Sequence, residues 1–151
     1  MLTKFELTLA ASFGMLLLTA ESADAQIVTV RANYTAPTGQ YNAKTQPSGT
    51  FSTPGYADGS GGKWRVKVNY GLMRDGAFEA FTAGDTPKGP YYSTVEDVGR
   101  GVTAKTWGMG GQHDWPTPPG EFTFVRAILQ RSTDGGTTWS NEGQPAYDAC
   151  K

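Results

Sequence analysis

The chain has 151 residues, with 13 Lys and Arg against 14 Asp and Glu, one His and one Cys. Near-neutrality offers neither a basic stripe for nucleic acid nor a polybasic patch for anionic lipid, which sets both partner classes aside. A single histidine rules out a metal site built on two imidazoles, and a single cysteine rules out an intrachain disulfide.

The first 25 residues have the layout of a secretory signal. Lys4 supplies a short positive region, residues 7–20 are apolar or small around Leu16, Leu17 and Leu18, and Ala23-Asp24-Ala25 presents small side chains for a peptidase. The apolar run is too short to anchor in a bilayer. The expectation is therefore cleavage after Ala25 and a mature chain, residues 26–151, that is secreted or periplasmic and has no membrane span. Cleavage would remove Lys4, Glu6, Glu21 and Asp24, leaving 12 basic and 11 acidic residues of the original 13 and 14.

Residues 26–34 are rich in β-branched side chains and predict a first strand. Residues 35–62 carry Pro37, Pro47 and Pro54 with six glycines, and predict a long loop holding at most one short strand near residues 50–52. Residues 63–73 give the clearest pattern in the chain. Trp64, Val66, Val68, Tyr70 and Leu72 fall on one face, and Lys63, Arg65, Lys67 and Asn69 on the other, which reads as solvated. Arg74-Asp75-Gly76 then predicts a hairpin turn into residues 77–82. Short strands are expected at residues 91–95 and 101–107, with a Gly- and Pro-dense loop over 108–120. Residues 121–131, apolar on both faces, predict a central strand covered on both sides. The fold expected is a single all-β domain, an antiparallel β-sandwich of immunoglobulin or fibronectin-III type.

Residues 132–139 read Ser-Thr-Asp-Gly-Gly-Thr-Thr-Trp. This resembles the Asp-box, the hairpin turn repeated in sialidase-type β-propellers and found singly in other secreted β-proteins. Asp134 can accept backbone N–H groups, the glycines permit positive φ, and Trp139 can fold over the turn. The resemblance implies a structural staple of Ser132, Asp134, Gly136 and Trp139, not a catalytic site. A propeller needs the motif on a regular period, and the nearest second candidate, Asp58 to Trp64, has an extra residue before its Trp and no leading Ser.

The candidate ligand site is the stretch from Trp107 to Trp115. In it Gln112, His113 and Asp114 lie in a glycine-rich loop between two indoles that can stack on the C–H faces of a sugar, with Tyr92 as a further aromatic. Against this stands the reading that the tryptophans cap the core. A Ca²⁺ site at Asp58-Gly-Ser-Gly-Gly lacks a full oxygen set. No cofactor or metal is implied, and no catalytic residue stands out.

The leading expectation is a non-catalytic binding module for carbohydrate or a cell-surface protein. One alternative is a self-associating surface or fibre subunit, joined by edge-strand exchange through residues 27–34 or by Cys150. The other is a small carboxylate-dependent glycosidase drawing on Glu79, Asp85, Glu96, Asp97, Asp114 or Glu121, with no spacing that selects a pair.

Overall fold

The computed structural model describes residues 27–39, 41–53, 62–82, 89–98, 105–115 and 123–151, with 98 and 115 described by their backbone alone. The expected leader, the Asp58 run, Asp85 and Glu121 lie outside these residues. Within them the fold is all-β and its sheets are antiparallel. In chain order the strands are β1 (Ala43–Thr45), β2 (Ser48–Phe51), β3 (Gly62–Arg74), β4 (Ala77–Ala80), β5 (Tyr91–Tyr92), β6 (Glu96–Val98), β7 (Lys105–Gly108), β8 (His113–Trp115), β9 (Thr123–Ser132) and β10 (Ser140–Ala149).

β3 organises the larger sheet. It pairs along its length with β9, from Lys63↔Ser132 to Leu72↔Thr123, and β9 pairs in turn with β10. The other edge of β3 is satisfied in instalments by β6 at Gly62–Trp64, by β5 at Lys67 and Val68, and by β4 at residues 71–74. Between these, Ser93 serves Val66 twice, its N–H donating to the Val66 carbonyl and its Oγ accepting the Val66 N–H. The Phe81 N–H meets the Tyr70 carbonyl. Nearly every polar group on that edge thus has a partner, as a buried strand requires. The β3–β4 turn is the one the sequence predicts, with Asp75 at φ 50° and Gly76 at φ 77°, the left-handed pair that a tight Asp-Gly hairpin uses.

The second sheet is less regular. Residues 27–38 run antiparallel to residues 41–52, through bridges at Val28↔Phe51, Arg31↔Ser48, Thr35↔Lys44 and Thr38↔Tyr41. On the far side β1 pairs with β8 and β2 with β7. Asn33, at φ 47°, breaks the leading segment into bridges instead of a continuous strand, and its side-chain amide donates to the Gln46 carbonyl and Ser48 Oγ. The expected 35–62 loop is thereby corrected over residues 43–51, which form two strands. The expected 108–120 loop is corrected over residues 113–115, which form β8. The expected break after Val95 holds β6. Short length and few apolar residues hid all three.

The two sheets meet across one apolar cluster. Val28, Ala32, Ala43, Phe51, Trp107 and Met109 come from one side, and Trp64, Val66, Val68, Tyr70, Val125, Ala127, Leu129, Ala146 and Cys150 from the other. Fully burying a Val, Leu or aromatic side chain is worth roughly 1.5–3 kcal/mol, so the alternate residues of β3 and β9 supply most of the driving force. Two polar ties cross the interface: Asp148 Oδ2 accepts the Ala32 N–H at 2.7 Å, and Thr45 Oγ1 meets the Tyr70 hydroxyl at 2.7 Å.

Two features bear on self-association. Residues 27–34 are bonded within their own chain, with the Val28 and Ala32 side chains buried. Cys150 is buried beside Tyr70, and desolvation pushes its thiol up to about 12. A thiol so placed is screened from disulfide exchange with a second molecule.

Candidate functional site

The Asp-box folds as its chemistry demands. Ser132 Oγ donates to Asp134 Oδ1 at 2.7 Å and accepts the Gly136 N–H, while the Asp134 carboxylate accepts the N–H groups of Thr137 and Thr138 and the Thr138 hydroxyl. Hydrogen bonds from the Thr138 hydroxyl and backbone, then from Ser132, hold this carboxyl well below the usual carboxylate range. Gly135 and Gly136 take φ 79° and 99°. Trp139 turns back so that its indole N–H donates to the Gly136 carbonyl at 3.0 Å. The motif thereby does more than close the β9–β10 hairpin, because it presents the Trp139 ring on the outer face of the large sheet.

On that face Arg65 lies between two rings, with its guanidinium carbon 3.8 Å from the Tyr92 centroid and 4.1 Å from that of Trp139. Its Nε–H donates to Gln130 Oε1 at 3.0 Å, and Gln130 Nε2 donates to Asn141 Oδ1 at 2.9 Å. Further along, Arg126 rests 4.4 Å above the Phe78 ring and donates from Nη2 to Asn69 Oδ1 at 3.1 Å. Phe78 packs against Tyr147 at 5.6 Å. Phe78 reaches this position over Gly71, where any side chain would collide with its ring and with the Glu79 backbone. Tyr92 and Tyr147 are each 41% exposed, so the face is open to a ligand.

The residues singled out from sequence are split by the structure. Trp107 is a core residue whose indole N–H donates to the Thr29 carbonyl at 3.1 Å. His113, at the start of β8, stacks on Tyr91 at 3.8 Å and joins its Nδ1 to the Tyr70 hydroxyl at 2.7 Å. Desolvation lowers its pKa, with the Asp114 charge opposing. Gln112 and Asp114 are exposed, and the side chain of Trp115 lies outside the described residues. Tyr92 stands on the other sheet with Arg65. Of these adjacent residues, Tyr91 packs against the core and Tyr92 is exposed.

No protein-family model, curated protein or solved structure matches the chain. Geometry must therefore carry the reading. Among the described residues no group of three or more His, Cys, Asp or Glu could hold a metal ion, and no helix is long and apolar enough to cross a membrane. A cleft of about 80 Å³ beside Ser93, Glu96, Thr106 and Trp107 is several-fold smaller than the roughly 300 Å³ or more that encloses a small organic ligand. Several carboxylates already have structural partners: Glu79 with Arg74 at 3.2 Å, Glu96 with Lys105 at 3.4 Å, Asp134 in its turn and Asp148 on Ala32.

Sequence reasoning missed Arg65, Arg126, Asn69, Gln130, Asn141, Phe78 and Tyr147 as site residues. The alternation of β3 did place Arg65 and Lys67 outward. What it could not supply is register, which alone brings Tyr92, Gln130 and Trp139 around Arg65.

Proposed function

We propose that the protein is an exported, non-catalytic binding module whose ligand surface is the outer face of the large sheet and whose ligand is carbohydrate. In this reading residues 1–25 are a cleaved signal peptide, the mature chain is secreted or periplasmic, and the domain is a β-sandwich of fibronectin-III type. The strand order supports the last point. The leading segment bridges to β1 and β2, which pair with β8 and β7, and the larger sheet runs β4, β3, β9, β10 with β5 and β6 also on β3, an order compatible with that class.

The observation that carries the function is the group of aromatic rings on one sheet face, Tyr92 and Tyr147 exposed and Trp139 and Phe78 half-buried, with the exposed Asn141 amide beside them. Sugars offer C–H faces for such rings and hydroxyls for the exposed Asn141 amide, and exposed aromatic surface on a small domain is a marker of interaction. The loop from Trp107 to Trp115 is less suited, because its first tryptophan is spent on the core.

A panel of plant and bacterial polysaccharides, screened by affinity electrophoresis, tests the reading. Retardation by at least one glycan is expected, and it should be lost in Tyr92→Ala and Tyr147→Ala with the fold intact by circular dichroism. Migration unaffected by every glycan would remove the carbohydrate reading.

A further inference from the structure

The β3–β9 ladder contains a local two-fold centred on the Lys67↔Ile128 pair. In an antiparallel pair that axis relates Arg65 to Arg126 and Asn69 to Gln130, since Arg65 faces Gln130 and Asn69 faces Arg126 across the ladder. The side chains follow the same relation. Each guanidinium lies flat on an aromatic ring and is bonded to the amide oxygen of the residue opposite. Arg65 has its Nε occupied by Gln130, and its two terminal nitrogens form a fork with no hydrogen-bond partner among the described residues.

Cations outnumber carboxylates among the described residues of this face. The ion pairs Arg74–Glu79 and Lys105–Glu96 include neither Arg65 nor Arg126. Lys67 lies between the two arginines and Lys63 beyond Arg65, while Asp97, opposite Lys63, is the acidic residue at this end of the face. With strand rise near 3.3 Å and strands about 4.8 Å apart, Arg65 and Arg126 stand roughly 14 Å from each other, with Lys67 about 7 Å from Arg65 and about 8 Å from Arg126. One carboxylate cannot bridge such a span. An extended polymer with a repeating anionic group can.

Resting on the carbohydrate reading above, the geometry points to a carboxylated polysaccharide, a chain of uronic acid residues, as the ligand, with Arg65 and Arg126 each gripping a carboxylate. Arginine forks match carboxylates in a bidentate fashion, and rings on which the guanidinium is stacked hold it ready without further ordering. The exposed Tyr92 and Tyr147 hydroxyls and the Asn141 amide suit a hydroxyl-rich backbone. Nucleic acid is disfavoured by only four cations on this face of a chain that is near neutral after cleavage, with 12 basic and 11 acidic residues, and a second copy of the chain by cation facing cation.

The experiment is isothermal titration of the intact protein with hexamers of galacturonate and of mannuronate, with the methyl-esterified galacturonate hexamer, with neutral xylan and glucan hexamers, and with a single-stranded oligonucleotide. One of the acid hexamers is expected to bind about tenfold or more tightly than its uncharged counterpart, with affinity falling as salt rises. Arg65→Gln and Arg126→Gln should each weaken it about tenfold, and Arg65→Lys, which keeps charge but loses the fork, should also weaken it. The ester comparison needs no variant and so survives any folding defect. Methyl ester or neutral hexamers binding as tightly as the acids would overturn the inference while leaving the carbohydrate reading in place. No heat with any sugar would overturn both, and preference for the oligonucleotide would overturn the inference in favour of phosphate recognition.

Discussion

Tyr70→Phe isolates the polar tie between the two sheets. The Tyr70 hydroxyl is buried, with Thr45 Oγ1 and His113 Nδ1 each at 2.7 Å, so it is the centre of a three-member chain that links β1, β3 and β8. The substitution removes one oxygen atom and leaves the ring in its contacts with Tyr91 and His113. Two hydrogen bonds at about 1 kcal/mol net each are lost, and the Thr45 hydroxyl, fully buried, is left without this partner, so the expected cost is about 2–3 kcal/mol. With a urea dependence of roughly 1–3 kcal/mol per molar for a domain of this size, the unfolding midpoint should fall by about 1–2 M at unchanged slope. Thr45→Val in the same background should cost less than it does alone, because the second partner is already gone, with a coupling of about 1 kcal/mol. A midpoint unmoved by Tyr70→Phe, or strictly additive costs for the pair, would show that the chain of hydroxyls does not tie the sheets.

Three further outcomes follow from other parts of the core. Desolvation lowers the His113 pKa in the folded chain below its ordinary 6.5, so the unfolded state binds more protons between the two values; stability, complete above about 6.5, should decline as pH drops through that window. His113→Gln should flatten that slope in pH-dependent urea unfolding. Gly49→Ala would drive a methyl group into the Thr29 backbone and the Trp107 indole, so residues 27–34 should undock and tryptophan emission shift to the red, whereas unchanged emission would place Trp107 elsewhere. The Cys150 thiol, pushed up to about 12 by burial, should stay unlabelled by an aromatic disulfide reagent at pH 8 until denaturant is added, and prompt labelling would show an accessible chain end.

Strands with an unbroken period or apolar run were legible in the sequence, and irregular ones were not. β3 announced itself because a buried face and a charged face alternate over its whole length, and β9 because its inner residues are uninterrupted apolar ones. On its outer face Arg126 lies over Phe78 of β4, across β3, and Gln130 accepts from Arg65 of β3. β10 left almost no trace, since a bulge between Glu142 and Ala146, with Gly143 at φ 65° and Pro145 beside it, breaks period two in its middle. The Asp-box could be read as a turn from its eight residues, because every contact that shapes it is local. Its service to Arg65 could not, because that contact joins residues far apart in the chain.

The distribution of side chains on β3 bears on why the arginine face exists. The inner positions Trp64, Val66, Val68 and Tyr70 account for the strand's contribution to stability. An exposed cation over a ring adds only about 0.5–1 kcal/mol, and packing cations on one face in excess of carboxylates subtracts from that gain through mutual repulsion. Neutral polar residues at positions 65 and 67 would keep the outer face soluble at no such cost. Stability therefore does not explain the pairing of Arg65 with two rings and an oriented glutamine, nor its repetition at Arg126. Holding two guanidiniums rigid and unpaired is unfavourable for the isolated domain and favourable only when something anionic arrives, which is the pattern expected of a surface shaped by its ligand.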